Sequence, residues 1–332
     1  MKHFLIGLFS FLLIGCKENP KTEEQPVLKN TRIEGSVFGT FYQITYNSQN
    51  NYEKQFDSLF YVINKSMSTY QVNSDISKLN RNESNIVDEH FINVFEASKI
   101  IYKKTDGIFD PTIGSVVNAW DFGPEGSIVN LDSLKIESLM NSVGLGKVKR
   151  VKNTIVKPLE TFIDFNAIAK GYAVDVVADF LRGKNVKNFM VNIGGELNTK
   201  GVNVEKNKGW TVAVENPNFD GTQSYDKVFV LKDAAMATSG TYRKFKVDEN
   251  GNRYAHIIDT QTGYPSKTSL LSISVIANNC MTADAYATAF KVMGVENVKL
   301  FLNKHPELKV YLIFENENKK IETLTLNGFP ES

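Results

Sequence analysis

The feature that most limits what this chain can fold into is the succession of short apolar runs in its C-terminal third. Trp210 to Glu215, Val228 to Leu231, Tyr254 to Asp259 and Leu270 to Ala277 each have strand character, and Leu308 to Phe314 and Ile321 to Leu326 add two more. They are joined by short polar loops and interrupted by helical stretches at Met281 to Gly294 and Glu296 to Asn303. The mixture predicts an α+β fold, with a largely antiparallel sheet core and packed helices, rather than a doubly wound parallel sheet.

The N-terminal half supplies further helices. Phe56, Leu59, Phe60 and Ile63 fall at i, i+3, i+4 and i+7 and predict a helix over Tyr52 to Ser66. Phe91, Val94, Phe95, Ile101 and Tyr102 do the same for Asp88 to Thr105, which stops near Gly107. Ser74 to Asn80 reads as a capped short helix or turn. Pro111 and Thr112 suit a helix start, with Asp110 ahead of it to cap or to reach a ligand, and Leu131 to Val143 is helical up to Gly144. Gly35 to Tyr46 alternates as a strand, interrupted at Gly39-Thr40 as a bulge or close backbone approach would. Val148 to Asp164 is hairpin-like, Asp164 to Asp175 passes from strand to helix through small residues, and Phe189 to Ile193 is a strand stopped by Gly194-Gly195-Glu196. No GxGxxG follows the first strand and no GxxxxGK[ST] occurs, so a Rossmann or P-loop nucleotide site is not expected.

Residues 1–16 stand apart from the fold. Lys2 and His3 precede an uncharged apolar run from Phe4 to Ile14, too short to span a bilayer and typical of a signal peptide. The run ends in Leu13-Ile14-Gly15-Cys16, which resembles the lipobox of bacterial lipoproteins. That resemblance implies that Cys16 is the lipidated first residue of the mature chain, on a bacterial membrane and facing the periplasm. Residues 17–30 read as a flexible tether, which leaves residues 31–332 as the folded domain. The chain is 42% hydrophobic and 23% charged with a net charge of +1, an ordinary globular balance with no nucleic-acid footprint. With Cys16 set aside, Cys280 has no partner for a disulfide and reads as a buried small hydrophobe.

The stretch from Met281 to Gly294 carries the sharpest chemical candidate. Thr282 is placed to be an N-cap and Gly294 a C-terminal stop, and Asp284 and Thr288 then lie i,i+4 on one face. Oxygen donors so placed, with room for waters and phosphate oxygens, suit Mg²⁺ holding a diphosphate. The plainer alternatives are an Asp that complements the helix dipole and a Thr that bonds back to the carbonyl one turn earlier. Lys170, at a helix start, opposes the dipole and asks for an anionic partner. His256 sits within the Tyr254 to Asp259 strand, sharing a face with Ile258, as either a satisfied core histidine or a site residue.

Further clusters fall in order along the chain: Gly39-Thr40, Ser68-Thr69-Tyr70 with Ser74-Asp75-Ile76, Phe109-Asp110-Pro111-Thr112-Ile113-Gly114, Asp164 to Asp175, Asn192-Ile193-Gly194-Gly195-Glu196, Thr238-Ser239-Gly240-Thr241-Tyr242-Arg243, His256-Ile257-Ile258-Asp259 and Ala283 to Ala289. Taken together they resemble the ApbE family of FAD:protein FMN transferases, over about residues 35 to 326. The resemblance implies a T-fold-related architecture and a Mg²⁺-dependent enzyme. With FAD as substrate, it would move the FMN half onto a Ser or Thr hydroxyl of a partner protein and release AMP. It also implies metal ligation by Asp284, Thr288 and the Ala167 carbonyl, and flavin contacts at Phe38, Thr69, Tyr70, Gln71, Asp110, Lys170 and Ile258.

Three positions depart from the family pattern. Phe38 stands where Met is common, Asn166 where Gly or Ser is usual, and Thr260 where Pro is frequent. Chemistry on a diphosphate adds the expectation that His256 accepts or orients the proton of the attacking hydroxyl. The compartment makes flavin-carrying subunits of membrane redox complexes, or other exported flavoproteins, the expected acceptors. Two alternatives remain open at this point: an FAD pyrophosphatase using the same metal site, and a lipoprotein that only binds flavin.

Overall fold

Alternation along the strands decides how the layers form. The computed structural model of the chain describes residues 29–218, 220, 222–240, 245–247 and 253–331. The described strands are β1 (Thr31–Val37), β2 (Thr40–Tyr46), β3 (Lys149–Val151), β4 (Thr154–Val156), β5 (Phe189–Ile193), β6 (Glu196–Lys200), β7 (Val202–Asn203), β8 (Lys208–Glu215), β9 (Tyr225–Leu231), β10 (Ala235–Gly240), β11 (Phe245–Val247), β12 (Arg253–Ala255), β13 (Leu270–Ala277), β14 (Lys309–Glu315) and β15 (Ile321–Leu326). The described helices are α1 (Glu53–Met67), α2 (Asp75–Asn80), α3 (Glu89–Lys104), α4 (Gly114–Ala119), α5 (Ser133–Met140), α6 (Ala169–Gly183) and α7 (Cys280–Leu302). None of these helices is long and apolar enough to cross a membrane. The signal peptide with Cys16, the tether up to residue 28, and Thr241 to Arg243 lie outside the described residues. Asn30, at the end of the expected tether, is already pinned to Asn203 and Glu205.

Eight strands form one sheet in the order β1-β2-β5-β6-β10-β13-β14-β15. Every neighbouring pair in it is antiparallel, as the sequence pattern predicts. One face carries Ile44, Val191, Ile193, Ile273, Val275, Val310 and Leu312 into the main core, shared with the helices. The other face carries Leu197, Met236, Ile276, Tyr311 and Ile313 against Val212, Val214, Phe229 and Leu231 of the β8–β9 hairpin. Both faces are therefore covered, and the interior strand β13 is buried along its whole length.

Four local expectations need correction. Gly39 is not a bulge in one strand: Phe38 and Gly39, at φ 52 and 72, are the two central residues of a hairpin turn between β1 and β2. The left-handed turn is natural for Gly39 but strained for an aromatic residue, and Phe38 is the residue that lines the site below. The helix cap is Asn279, whose side chain accepts from Thr282 N, so α7 begins two residues before Thr282. Gly294 does stop the first part of α7, at φ 75 and ψ 169, and a second helical part follows it.

The strand expected over Tyr254 to Asp259 ends at Ala255. Ile258 keeps a single bridge to Pro265, and Asp259 turns the chain by donating its N–H to Tyr264 O and accepting from Gly263 N. Ahead of α6 there is likewise no strand, only one parallel bridge between Ile113 and Phe162. After β12 the local turn residues take up the backbone hydrogen bonds. Ahead of α6 the distant Asn80 side chain instead accepts from Ile163 N at 2.8 Å and donates to Ile163 O at 2.9 Å, and Asp164 N donates to Pro111 O.

Candidate active site

The site grows from the crossing of the first turns of α6 and α7. Gly171 N–H donates to Asp284 Oδ2 at 2.9 Å. In a regular helix that N–H would bond the carbonyl four residues back, which is Ala167. Among the described residues no backbone N–H is donated to the Ala167 carbonyl, so it is left with its lone pairs free. Asp175, one turn further along α6, caps α7 by accepting from Cys280 N at 2.9 Å and Met281 N at 2.8 Å. Thr288 lies one turn beyond Asp284 on α7 and does not bond back to its own helix. Its hydroxyl lies 3.2 Å from Ser239 Oγ on β10.

These groups open into a cavity of about 920 Å³, at the upper end of the range for small-molecule sites. Of the residues expected from sequence, Phe38, Tyr70, Gln71, Asp110, Ala167, Lys170, His256, Ile258, Asp284 and Thr288 all line it. Thr69 does not. It faces a smaller recess with Val72 and Arg81, and its buried hydroxyl has no partner. Asp110 lines the wall, but both its oxygens are engaged: Oδ1 accepts from Thr112 N and Oγ1, and Oδ2 from Leu145 N. His256 sits in the loop after β12, its ring 6.2 Å from that of Phe122.

Electrostatics centre on a buried charge cluster. Lys170 Nζ meets Glu196 Oε1 at 2.6 Å, the anionic partner that its place at a helix start requires. Burial opposes the ammonium charge, but Glu196 and Asp284 outweigh it and hold Lys170 above its ordinary value. Burial pushes Glu196 and Asp284 up from the usual carboxylate range, opposed by Lys170 and, for Asp284, by the Gly171 N–H. Glu196 Oε2 is buried without a hydrogen-bond partner. Cys280 is fully buried, with its thiol pushed up by burial and pointing at Met236 O, so it packs as a small hydrophobe.

Sequence reasoning noticed Glu196 only as the end of a glycine turn and missed its role as the Lys170 partner. The signal available was the demand of Lys170 for an anion; pairing β5 with β6 was needed to say which one. Glu215, Met236 and Ser239, also on the cavity wall, come from strands whose register no local pattern reveals. Of the departures from the family pattern, Asn166 forms a turn on Asp164 and Thr260 ties its loop to Gly107 O at 2.7 Å.

This α+β fold, with its large antiparallel sheet and packed helices, is the fold of solved flavin transferases. The solved structure of the flavin transferase ApbE from Vibrio cholerae superposes with a TM-score of 0.80 at 32% identity, covering 90% of this chain and 97% of that one. A curated FAD:protein FMN transferase of Haemophilus influenzae is 35% identical over 312 residues, 89% of each chain, and one of Vibrio cholerae 34% over 308 residues, again 89% of each. The ApbE family pattern matches residues 38–312. The chain belongs to the ApbE family and is a transferase.

Proposed function

We propose that this protein transfers the FMN half of FAD to a Ser or Thr hydroxyl of a partner protein, releasing AMP, and that it uses Mg²⁺ to do so. The observation that carries the reading is the Gly171 to Asp284 hydrogen bond, which anchors the carboxylate and frees the Ala167 carbonyl in one cavity. Asp284, Thr288 and the Ala167 carbonyl would hold the metal. One carboxylate, one hydroxyl and one carbonyl fit a Mg²⁺ that keeps waters and substrate phosphates as its other ligands. No cluster of three acidic, His or Cys side chains stands among the described residues, so an all-side-chain cage is not what this site offers. When bound, Mg²⁺ supplies Lewis-acid neutralisation of a diphosphate and a template for it.

The chain's own residues do the rest. Lys170, fixed by Glu196, keeps a positive charge at the phosphate end of the cavity. Phe38, Tyr70, Gln71 and Ile258 give the flavin a largely apolar wall. His256 accepts the proton of the attacking hydroxyl as its oxygen bonds to the FMN phosphorus, while the bond from that phosphorus to the AMP oxygen breaks. The names of the relatives support transfer over the two alternatives.

Product analysis separates the readings. A transferase releases AMP only when an acceptor is present and leaves no equivalent free FMN. A pyrophosphatase releases AMP and FMN together without an acceptor, and a binding protein releases neither. We also propose, from the signal-peptide and lipobox pattern, that the chain works as a periplasm-facing lipoprotein anchored at Cys16, on exported flavoproteins or subunits of membrane redox complexes. Metabolic labelling with a radioactive fatty acid should tag the wild-type chain and not Cys16→Ser; a wild type that takes up no label would contradict the anchor.

A further inference from the structure

Alternation along β10 sends Ala235 and Ala237 to the face covered by α7 and Met236 to the other. Ser239 continues the α7-facing row. The two alanines let the helix lie close, and at the end of the row Ser239 Oγ meets Thr288 Oγ1 at 3.2 Å. Both hydroxyls are half-buried on the cavity wall. A Thr inside a helix usually donates its proton to the carbonyl one turn back. For Thr288 that would be Asp284 O, and no such bond is present; Ser239 is its partner instead.

We propose that Ser239 is a positioning residue for the metal site, accepting the Thr288 proton so that the Thr288 oxygen presents its lone pairs to the cation. This rests on the Mg²⁺ reading above. A hydroxyl has one proton and two lone pairs, so where the proton goes decides where the lone pairs point. A hydroxyl that touches a cation becomes a better donor and a poorer acceptor, which sets the direction of the bond from Thr288 to Ser239. Without Ser239, the proton falls back to the Asp284 carbonyl and the oxygen rotates away. Ser239 is not a ligand itself; it acts through Thr288, as outer partners of metal ligands do.

The test is Mn²⁺ binding to the full chain in detergent with FAD present, read from the loss of the free-Mn²⁺ EPR signal and corrected for Mn²⁺ held by FAD alone. Losing an outer partner of this kind weakens metal affinity about 10- to 100-fold. Ser239→Ala should show that loss with an unchanged melting temperature in EDTA and unchanged metal-free FAD affinity. Ser239→Thr, which keeps a hydroxyl, should restore most of it. If Ser239→Ala binds Mn²⁺ like the wild type while Asp284→Ala does not bind, the metal site stands and the role of Ser239 is overturned. If Ser239→Ala and Ser239→Thr weaken binding equally, volume rather than the hydroxyl is responsible and the proposal fails. If Asp284→Ala binds as well as the wild type, the metal reading falls and the role of Ser239 with it.

Discussion

A Cβ atom on Gly171 would stand 2.4 Å from the Cys280 carbonyl oxygen and 2.8 Å from Asp284 Cβ. The first turns of α6 and α7 touch backbone to backbone at this point, and only glycine permits it. Gly171→Ala should therefore push the helices apart, lengthen the Gly171 to Asp284 hydrogen bond and lower stability by about 1–3 kcal/mol, the usual cost of overpacking. Denaturant melts with and without Mg²⁺ check this. A wild-type midpoint and unchanged metal response would mean that the crossing is looser than described.

Lys170 and Glu196 should behave as a unit. Lys170→Met leaves the Glu196 carboxylate buried without its counter-charge, a change that costs about 3–5 kcal/mol for a fully buried pair. Because Lys170 is partly exposed, the expected loss lies nearer the bottom of that range. Adding Glu196→Gln removes the stranded charge, so the double variant should recover much of the loss. Equal instability of the single and double variants would contradict the pairing.

Lys291 gives a pH-dependent prediction away from the chemistry. It is buried in α7 with Thr268 Oγ1 as its ammonium's partner at 2.8 Å, and burial lowers its pKa from 10.5 to about 8. The folded value lies below the unfolded one. Between pH 8 and 10.5 the unfolded chain binds more protons, so this residue's contribution to stability rises with pH in that window. Below it, a buried charge is a standing cost on the order of 3 kcal/mol. Lys291→Met should raise the melting temperature at pH 7, and its advantage should shrink as pH climbs through the window. An advantage that stays constant with pH would show that Lys291 is not titrating there.

Asp284→Ala should damage the reaction more than His256→Ala. Proton acceptance by a positioned side chain contributes about 10²- to 10⁴-fold, whereas on the proposed reading the Asp284 carboxylate would hold the metal that binds the phosphates. Single-turnover rates on equal amounts of folded protein decide it. The reverse order would contradict the role given to Asp284.

Much of the architecture was legible because it repeats a local period. Phe56, Phe60 and Ile63 mark α1, and Leu270 to Ala277 is an apolar stretch broken only by Ser272 and Ser274 that forms the buried interior strand β13. Asp284 and Thr288 were legible as a pair because four residues on a helix is one face. What was hidden is what sheet pairing and helix crossing decide. Nothing near Lys170 in sequence names Glu196, and nothing near Thr288 names Ser239, because both partners arrive through strand order. Gly171 looked like one small residue among several until α7 was laid against it. His256 reads as a strand residue because the β-branched Ile257 and Ile258 have strand propensity, while Asp259 and Gly263 in fact turn the chain.

The most direct test is mass spectrometry of an exported flavoprotein subunit incubated with the full chain, FAD and Mg²⁺. The expected result is a covalent gain of FMN less one water on a Ser or Thr of the acceptor, lost with EDTA and lost with Asp284→Ala. A gain that persists undiminished in EDTA and in Asp284→Ala would contradict the metal site, and no gain at all, with AMP and free FMN released instead, would contradict transfer.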